Sequence, residues 1–250
     1  MLKSWVLVST MLMAATAAST AAAEDGIALL KADTDITNTD SLQRGARNFM
    51  NYCSGCHSMK YLRYNRMAED LKIPLPELQK NLMFTSDKSF DGIISAMPPD
   101  AVTWFGKQPP DLSLIARARE GGPDYIYSYL HGFYADKTRL WGVNNLYLQA
   151  TAMPHVLGKL QGLQKPVFKP GSDAGGGAQV ELVGVEPMTP GTMKPEEYDQ
   201  FCRDIANFLD YAAEPIKAKR QSMGVFVMLF LAAFFVFAYL LKKEYWKDVH

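Results

Sequence analysis

Cys53, Cys56 and His57 are the residues of this sequence with the clearest chemical use. Two cysteines three positions apart can form thioether bonds with the two vinyl groups of a haem, and a histidine directly after the second cysteine can bind the iron. The pattern is specific because these residues are scarce: the 250-residue chain contains only 3 cysteines and 4 histidines. The spacing therefore predicts one covalently attached haem c, with His57 as an axial ligand of its iron.

Three other uses of these cysteines are open at this point. A thiol–disulfide redox pair also uses Cys-x-x-Cys, but such a pair usually opens a helix after a strand, whereas this motif follows a predicted helix. A structural zinc site needs four ligands, and Cys202 is the only other thiol in the chain. A purely structural disulfide is the third alternative.

The second axial ligand of such an iron has to come from far along the chain. A methionine thioether raises the reduction potential of a haem, which suits an electron acceptor. The spacing puts two methionines that precede prolines, Met97 and Met153, ahead of the rest. The full set of candidates, in which the histidines would give a bis-histidine haem, is Met97, Met153, Met188, Met193, His131 and His155.

Arginines are the natural partners of the negatively charged haem propionates, because the guanidinium fork matches a carboxylate. Arg117 and Arg119 follow the segment Pro109–Ser113 and are candidates for that contact. Cys202 has a simpler interpretation, since it lies on the apolar stripe of a predicted helix and is expected to be a small buried hydrophobic residue.

Two long helices are predicted around this chemistry. Asp40 is the predicted N-cap of the first, with Gln43 completing a capping box, and apolar residues recur at helical spacing up to Cys53. The second begins at Pro195, a favoured first-turn residue, and ends before Pro215. Its apolar stripe consists of Tyr198, Phe201, Cys202, Ile205, Phe208, Leu209 and Ala212.

The sequence between these helices predicts shorter elements. Prolines interrupt residues 63–111, which favours short helices and ordered loops. Residues 112–119 and 125–133 predict two further helical pieces. The stretch 164–192 is rich in proline and glycine, and partial alternation over residues 180–185 predicts a small hairpin.

Both ends of the chain carry apolar segments. Residues 1–23 are typical of a cleaved secretory signal, and a retained first anchor is the alternative. Residues 223–241 contain no charge and are long enough to cross a bilayer as a helix, joined to the body by a linker at 215–222. The signal would place the body, residues 24–214, outside the cytoplasm and the tail, residues 242–250, inside it.

Charge is distributed unevenly although the formal net charge of the chain is zero. Lys3 lies in the signal and a net +4 lies beyond Pro215, which leaves −5 for residues 24–214. An acidic body favours encounter with basic partners. Nothing in the charge pattern indicates nucleic-acid binding.

Short segments along almost the whole chain carry a family resemblance. They are Gly45–Arg47, Asn51–Ser58, Met97–Pro99, Trp104–Gly106, Pro109–Ser113, Arg117–Arg119, Asp124-Tyr125, Tyr129–Tyr134, Met153-Pro154 and Ala212–Pro215. Together they resemble the cytochrome c1 family, the haem subunits of cytochrome bc1 complexes (quinol–cytochrome c reductases). Other cytochromes c share only the haem motif.

The resemblance implies a mainly α cytochrome c fold over residues 24–214, with a loop or small β excursion, followed by one C-terminal transmembrane helix. The first and last helices of the haem domain are expected to pack together, with Gly45 permitting their close approach. The resemblance also implies that Met153 is the sixth ligand and that Arg119 points towards a propionate. The implied pocket residues are Pro110, Ile115, Arg119 and Tyr125.

The resemblance also implies partners and a place in the cell. Electrons would come from a Rieske iron–sulfur protein and leave to a soluble cytochrome c, with cytochrome b as the third protein of a complex in the bacterial inner membrane. The chain alone would make no bonds, since the enzyme is the assembly. The alternative is another membrane-anchored cytochrome c, an oxidase subunit or a shuttle, against which Pro109–Ser113 and Arg117–Arg119 argue.

One segment departs from the family pattern. Bacterial relatives usually carry Asn-x-x-Phe-Pro before the ligand methionine, whereas Asn145 is followed here by Leu148 and Gln149 at those places. The offset from Asn145 to Met153 is kept. Met153 therefore stays the expected ligand.

Overall fold

The computed structural model describes residues 27–170 and 180–247. The expected signal, residues 1–23, lies outside them, as do the glycines 175–177 and the last residues of the expected tail. The described chain is mainly helical with three two-stranded antiparallel sheets, which confirms the predicted fold class.

The helices and strands follow one another along the chain. The helices are α1 (Thr39–Tyr52), α2 (Tyr64–Leu71), α3 (Leu75–Asn81), α4 (Ala101–Phe105), α5 (Ile115–Ala118), α6 (Gly122–His131), α7 (Gly158–Gln161), α8 (Pro195–Ala213) and α9 (Lys217–Tyr245). The paired strands are β1 (Met59–Arg63) with β2 (Gly92–Ile93), β3 (Phe133–Ala135) with β4 (Val143–Asn145), and β5 (Gly162–Pro170) with β6 (Val180–Pro190).

The first helix begins earlier than the sequence predicts. Its N-cap is Asn38, whose side-chain oxygen accepts a hydrogen bond from the Ser41 amide at 3.1 Å. The predicted N-cap, Asp40, is wrong: it lies in the first turn, where its charge suits the positive end of the helix dipole. Gln43 donates to the Leu71 carbonyl at 2.8 Å, so it ties α1 to α2 instead of completing a capping box.

Helices α1 and α8 are in close contact at Gly45, as predicted. A Cβ atom on Gly45 would lie 2.1 Å from the Asp204 carbonyl oxygen and 2.6 Å from Phe208 Cβ, so a larger residue would force the helices apart. The rings of Phe49 and Phe208 are 5.8 Å apart and fully buried. Every residue of the predicted apolar stripe of α8 is buried, which confirms that prediction.

An ion pair between the half-exposed Arg44 and a buried carboxylate joins the same two helices. Asp204, which is 2% exposed, accepts hydrogen bonds from Arg44 Nε at 2.7 Å and Nη2 at 2.9 Å. Ser41 Oγ and Gln200 Nε2 donate to the same carboxylate at 2.7 and 2.9 Å. Since a buried charge is costly unless it is paired, these donors offset the cost of placing Asp204 between the helices.

Strands β5 and β6 pair with each other close to the two ends of the stretch 164–192, in which the sequence predicts a small hairpin. Their pairing runs from Gly162 opposite Pro190 to Pro170 opposite Val180, with irregular register in two places. Prolines within both strands weaken the alternating pattern from which strands are predicted. The predicted short helices between residues 63 and 111 are present as α2, α3 and α4.

Helix α9 is the one helix of the described residues that is long and apolar enough to cross a membrane. It has 29 residues, and its apolar 18-residue stretch has a mean hydropathy of 2.6 with no residue buried. At about 1.5 Å per residue it exceeds a bilayer core of ~30 Å. It begins at Lys217, so most of the expected linker, residues 215–222, is helical.

Ion pairs tie the start of α9 to the end of α8. Lys217 Nζ lies 2.9 Å from both carboxylate oxygens of Asp210. Arg220 Nε lies 2.6 Å from Glu214 Oε1. Because both pairs bridge the short connection at Pro215, they restrain the direction in which α9 leaves the rest of the chain.

Candidate haem-binding site

The Cys53–His57 motif forms a tight turn that continues α1. The Cys53 amide donates to the Phe49 carbonyl at 2.8 Å. The amides of Cys56 and His57 then both donate to the Cys53 carbonyl, at 3.0 and 2.8 Å. Because the backbone closes on Cys53 in this way, both thiols and the imidazole belong to one short turn, as attachment to a single haem requires.

The His57 ring is oriented by the backbone of Pro110. Its Nδ1 lies 2.8 Å from the Pro110 carbonyl oxygen. A carbonyl can only accept, so Nδ1 carries the proton and the Nε2 lone pair is free. Metal-binding histidines commonly donate their other N–H in this manner, which fixes the ring. Burial is the main cause that lowers the pKa of His57, so the ring is neutral and able to bind a metal at neutral pH.

The Pro110 carbonyl is itself held in place by three hydrogen bonds between its segment and the residues that follow the haem motif. Asp111 and Ser113 accept two of them with their side chains, and sequence reasoning had named these residues only as parts of a family segment. The bonds run from the Leu112 amide to the Ser58 carbonyl (2.8 Å), from the Lys60 amide to Asp111 (3.0 Å) and from the Tyr61 amide to Ser113 (3.1 Å).

Arg119 and Tyr125, two of the pocket residues that the resemblance implies, are in contact with each other. Arg119 Nη2 donates to the Tyr125 hydroxyl at 3.0 Å, and the guanidinium carbon lies 4.4 Å from the ring centre. The other guanidinium N–H groups remain able to bind a propionate. The charge of Arg117 influences Glu214 instead. The pKa of Glu214 is lowered mainly by its hydrogen bond with Arg220 and to a smaller extent by the charge of Arg117.

An aromatic row that sequence reasoning missed runs along α6 and into β3. Ring centres are 6.0 Å apart for Tyr125 and Tyr129, 5.1 Å for Tyr129 and Phe133, and 4.6 Å for Phe133 and His155. Burial lowers the pKa of His155 to about 4, so this ring packs as a neutral group. The spacing of four residues between Tyr125, Tyr129 and Phe133 is the sequence signal that could have indicated contacts between these rings. Because His155 closely follows Met153, the row connects Tyr125 to the Met153 loop.

No disulfide joins any of the three cysteines. Burial raises the pKa of Cys53 to about 12 and also raises the pKa values of Cys56 and Cys202. All three groups are therefore neutral at pH 7. Cys202 is 0% exposed, which confirms its interpretation as a small buried residue.

The candidates for the sixth ligand occupy different surroundings. Met153, in the loop after β4, and Met97, in the loop before α4, are both half-buried. Met188 is 49% exposed on β6, and Met193 packs against the core. His131 packs against α8. The choice of Met153 over Met97 stays a prediction.

The donor set fits a haem c better than the alternatives. Two thiols lie on one turn beside a histidine whose Nε2 is free, and this turn follows a helix rather than a strand. Across residues 27–170 and 180–247, no three His, Cys, Asp or Glu side chains cluster to hold a metal ion, so a zinc site lacks its ligands.

Ile115 is half-buried against the core. The site residues brought together are Cys53, Cys56, His57 and Pro110, and separately Arg119 and Tyr125.

Comparison with known proteins gives one family. Residues 32–249 match the model of the Cytochrome C1 family. A relative from Allochromatium vinosum, named cytochrome c1, is 49% identical over 98% of each chain. A relative from Nitrosomonas europaea, named ammonia monooxygenase gamma subunit, is 43% identical over 90% of each chain.

Among solved structures, a chain of a hyperthermophilic respiratory complex III covers 100% of this chain and 98% of its own length, at 16% identity and a TM-score of 0.44. A superposition this loose carries no argument about function. The family match, in contrast, spans nearly all of the described residues and includes the whole haem motif. The chain therefore belongs to the cytochrome c1 family, whose members carry one covalently attached haem c.

Proposed function

We propose that this chain is the electron-transfer haem subunit of a quinol–cytochrome c reductase. It takes electrons from a Rieske iron–sulfur protein and passes them to a soluble cytochrome c, in a complex with cytochrome b. The observation that carries the proposal is the 2.8 Å contact between His57 Nδ1 and the Pro110 carbonyl. In a chain of the cytochrome c1 family, that contact orients the His57 ring so that its Nε2 can bind an iron, close to the thiols of Cys53 and Cys56.

Each site residue has a separate task in this proposal. Haem c, when bound, supplies the one-electron chemistry. Cys53 and Cys56 would anchor it, and His57 and Met153 would bind its iron. Arg119, steadied by Tyr125, binds a propionate through its remaining N–H groups.

The same proposal assigns an orientation in the bacterial inner membrane. The signal, residues 1–23, is removed, and residues 24–214 form the haem domain in the periplasm. Helix α9 crosses the membrane, and the tail that follows it lies in the cytoplasm. The hydropathy of α9 and the absence of buried residues in its apolar stretch support the span. The pairs of Lys217 and Arg220 with the end of α8 would keep the haem domain at a defined angle to the bilayer.

The chain makes and breaks no substrate bonds in this role. Its contribution is to bind the cofactor, to set the reduction potential and to dock partners, while quinol oxidation belongs to the assembled complex.

The test is purification of an affinity-tagged chain from membranes in mild detergent, followed by addition of a reduced quinol. Cytochrome b and a Rieske protein should co-purify, and quinol should reduce the haem c in the same preparation. A chain carrying Met97→Leu, a change outside the proposed ligands, should co-purify with the same proteins and be reduced by quinol like the wild type. Purification with oxidase subunits instead, or haem reduction without any cytochrome b, would contradict the proposal and favour the alternative anchored cytochrome.

A further inference from the structure

The side chain of Asn144, in the middle of β4, makes four hydrogen bonds, and two of them are with the loop that leads to Met153. Its Oδ1 accepts from the amides of Asn145 and Ala150, both at 2.9 Å. Its Nδ2 donates to Asp136 Oδ2 at 3.1 Å and to Gln149 Oε1 at 3.2 Å. Asn144 is 7% exposed, so these bonds form largely away from water.

The Gln149 side chain closes the same network from the other end. Its Oε1 accepts from the Tyr134 hydroxyl at 3.1 Å as well as from Asn144. Its Nε2 donates to the Asn145 carbonyl at 3.1 Å. Gln149 is thus bonded both to β3 and to β4, although the residue itself is exposed at the tip of the loop.

The backbone reverses directly after Gln149. Ala150 has a φ of +59°, a left-handed conformation that costs energy for a residue with a Cβ atom. The bond from its amide to Asn144 Oδ1 holds that conformation. Thr151 then makes a 2.7 Å hydrogen bond with the Tyr129 hydroxyl, and Met153 follows closely. The position of Met153 therefore depends on contacts made by the residues just before it.

We propose that Asn144 and Gln149 form an amide clamp that positions the Met153 thioether on the haem iron. The inference rests on the proposed function, in which Met153 is the sixth ligand. Gln149 stands where the family resemblance leads one to expect a proline, and its three hydrogen bonds supply the rigidity that a proline would otherwise give. Both residues are positioning residues, since neither touches the iron.

The test measures how readily an added ligand displaces the thioether. Full-length ferric holoprotein in detergent is titrated with imidazole and followed by its absorbance. Gln149→Leu removes all three hydrogen bonds, so imidazole should bind about tenfold more tightly, which corresponds to about 1.4 kcal/mol. Tyr134→Phe removes one bond and should give a smaller shift in the same direction. The reduction potential should fall in the same order.

Gln164→Leu is the matched control. Gln164 Nε2 donates to the carbonyls of His131 and Phe133 at 2.7 and 2.8 Å, so its loss also removes glutamine hydrogen bonds, but outside the Met153 loop. This variant should lower thermal stability and leave imidazole binding and potential unchanged.

Met153→Leu, measured in parallel, separates the two levels of the argument. If Met153→Leu opens the iron to imidazole and Gln149→Leu does not, the clamp is wrong while the proposed function stands. If Gln164→Leu shifts the potential as much as Gln149→Leu, the effect is general destabilisation and the clamp is again wrong. If Met153→Leu itself changes nothing, the ligand assignment fails and the clamp fails with it.

Discussion

The two segments proposed to hold the haem iron are built in different ways. Residues 53–61 form the turn that follows α1 and the start of β1, and each of their four hydrogen bonds with Pro110–Ser113 uses at least one backbone group. Residues 144–153 form a loop that side-chain amides hold. The bonds of the first segment are spread over several residues, whereas those of the second depend on Asn144 and Gln149, so a single substitution is expected to disturb the second more. The histidine side is therefore expected to bind the haem, and the methionine side to tune it.

The largest expected effect breaks the histidine side. Cys53→Ala or Cys56→Ala should abolish stable covalent attachment and leave the domain poorly folded, because the haem provides much of the core of a small domain. Haem staining of a denaturing gel measures the outcome. Normal staining at full yield in either variant would contradict the assignment of the motif.

The next effect acts on the methionine side alone. Met153→Leu should leave the haem attached, because attachment needs only the cysteines, but the reduction potential should fall. We expect a fall of at least two tenfold steps in the equilibrium constant, each worth ~59 mV for a one-electron couple. The matched control, Met97→Leu, should change the potential little. Redox titration measures the reduction potential of both variants. A large fall in potential for Met97→Leu would contradict the assignment of Met153 as the ligand.

A third change tests the close packing of helices α1 and α8. Gly45→Ala would place a Cβ atom 2.1 Å from the Asp204 carbonyl oxygen and so separate α1 from α8. Overpacking of this kind typically costs about 1–3 kcal/mol. Thermal unfolding should show the loss, while the potential of the folded fraction stays the same.

Gly184→Ala is the control for that change, since no atom lies within 4 Å of the added carbon. Equal stability of the two alanine variants would show that the close approach of α1 and α8 contributes nothing.

Features that lie within one segment of the chain were predictable from the sequence, whereas contacts between distant segments were not. The haem motif and the apolar stripe of α8 were predictable because scarcity and helical period are properties of a single segment. The Asn38 cap was missed because Asp40 has an equally suitable side chain and only geometry separates them. The bonds of Gln149 with Tyr134 and of Thr151 with Tyr129 join different elements, and a single sequence holds no record of such pairs.

The smallest expected effect lies outside both segments. The acidic body, residues 24–214, carries a formal charge of −5 and should steer a basic soluble cytochrome towards the haem. Raising the salt concentration should therefore slow electron transfer to that acceptor, because charges are screened beyond ~8–10 Å near physiological ionic strength. Stopped-flow reduction over a salt series measures this, with a neutral small-molecule acceptor as the control. A rate indifferent to salt would reject steering and leave the haem site untouched.

The covalent haem is tested most directly on the unmodified chain. The purified full-length protein is denatured, its haem stained on a gel, and its haem content per chain measured from the absorbance of the reduced pyridine complex. We predict one haem per chain that survives denaturation, with the spectrum of a haem that has lost both vinyl groups to thioether bonds. Haem that separates from the denatured chain, or a chain without haem, would contradict the assignment.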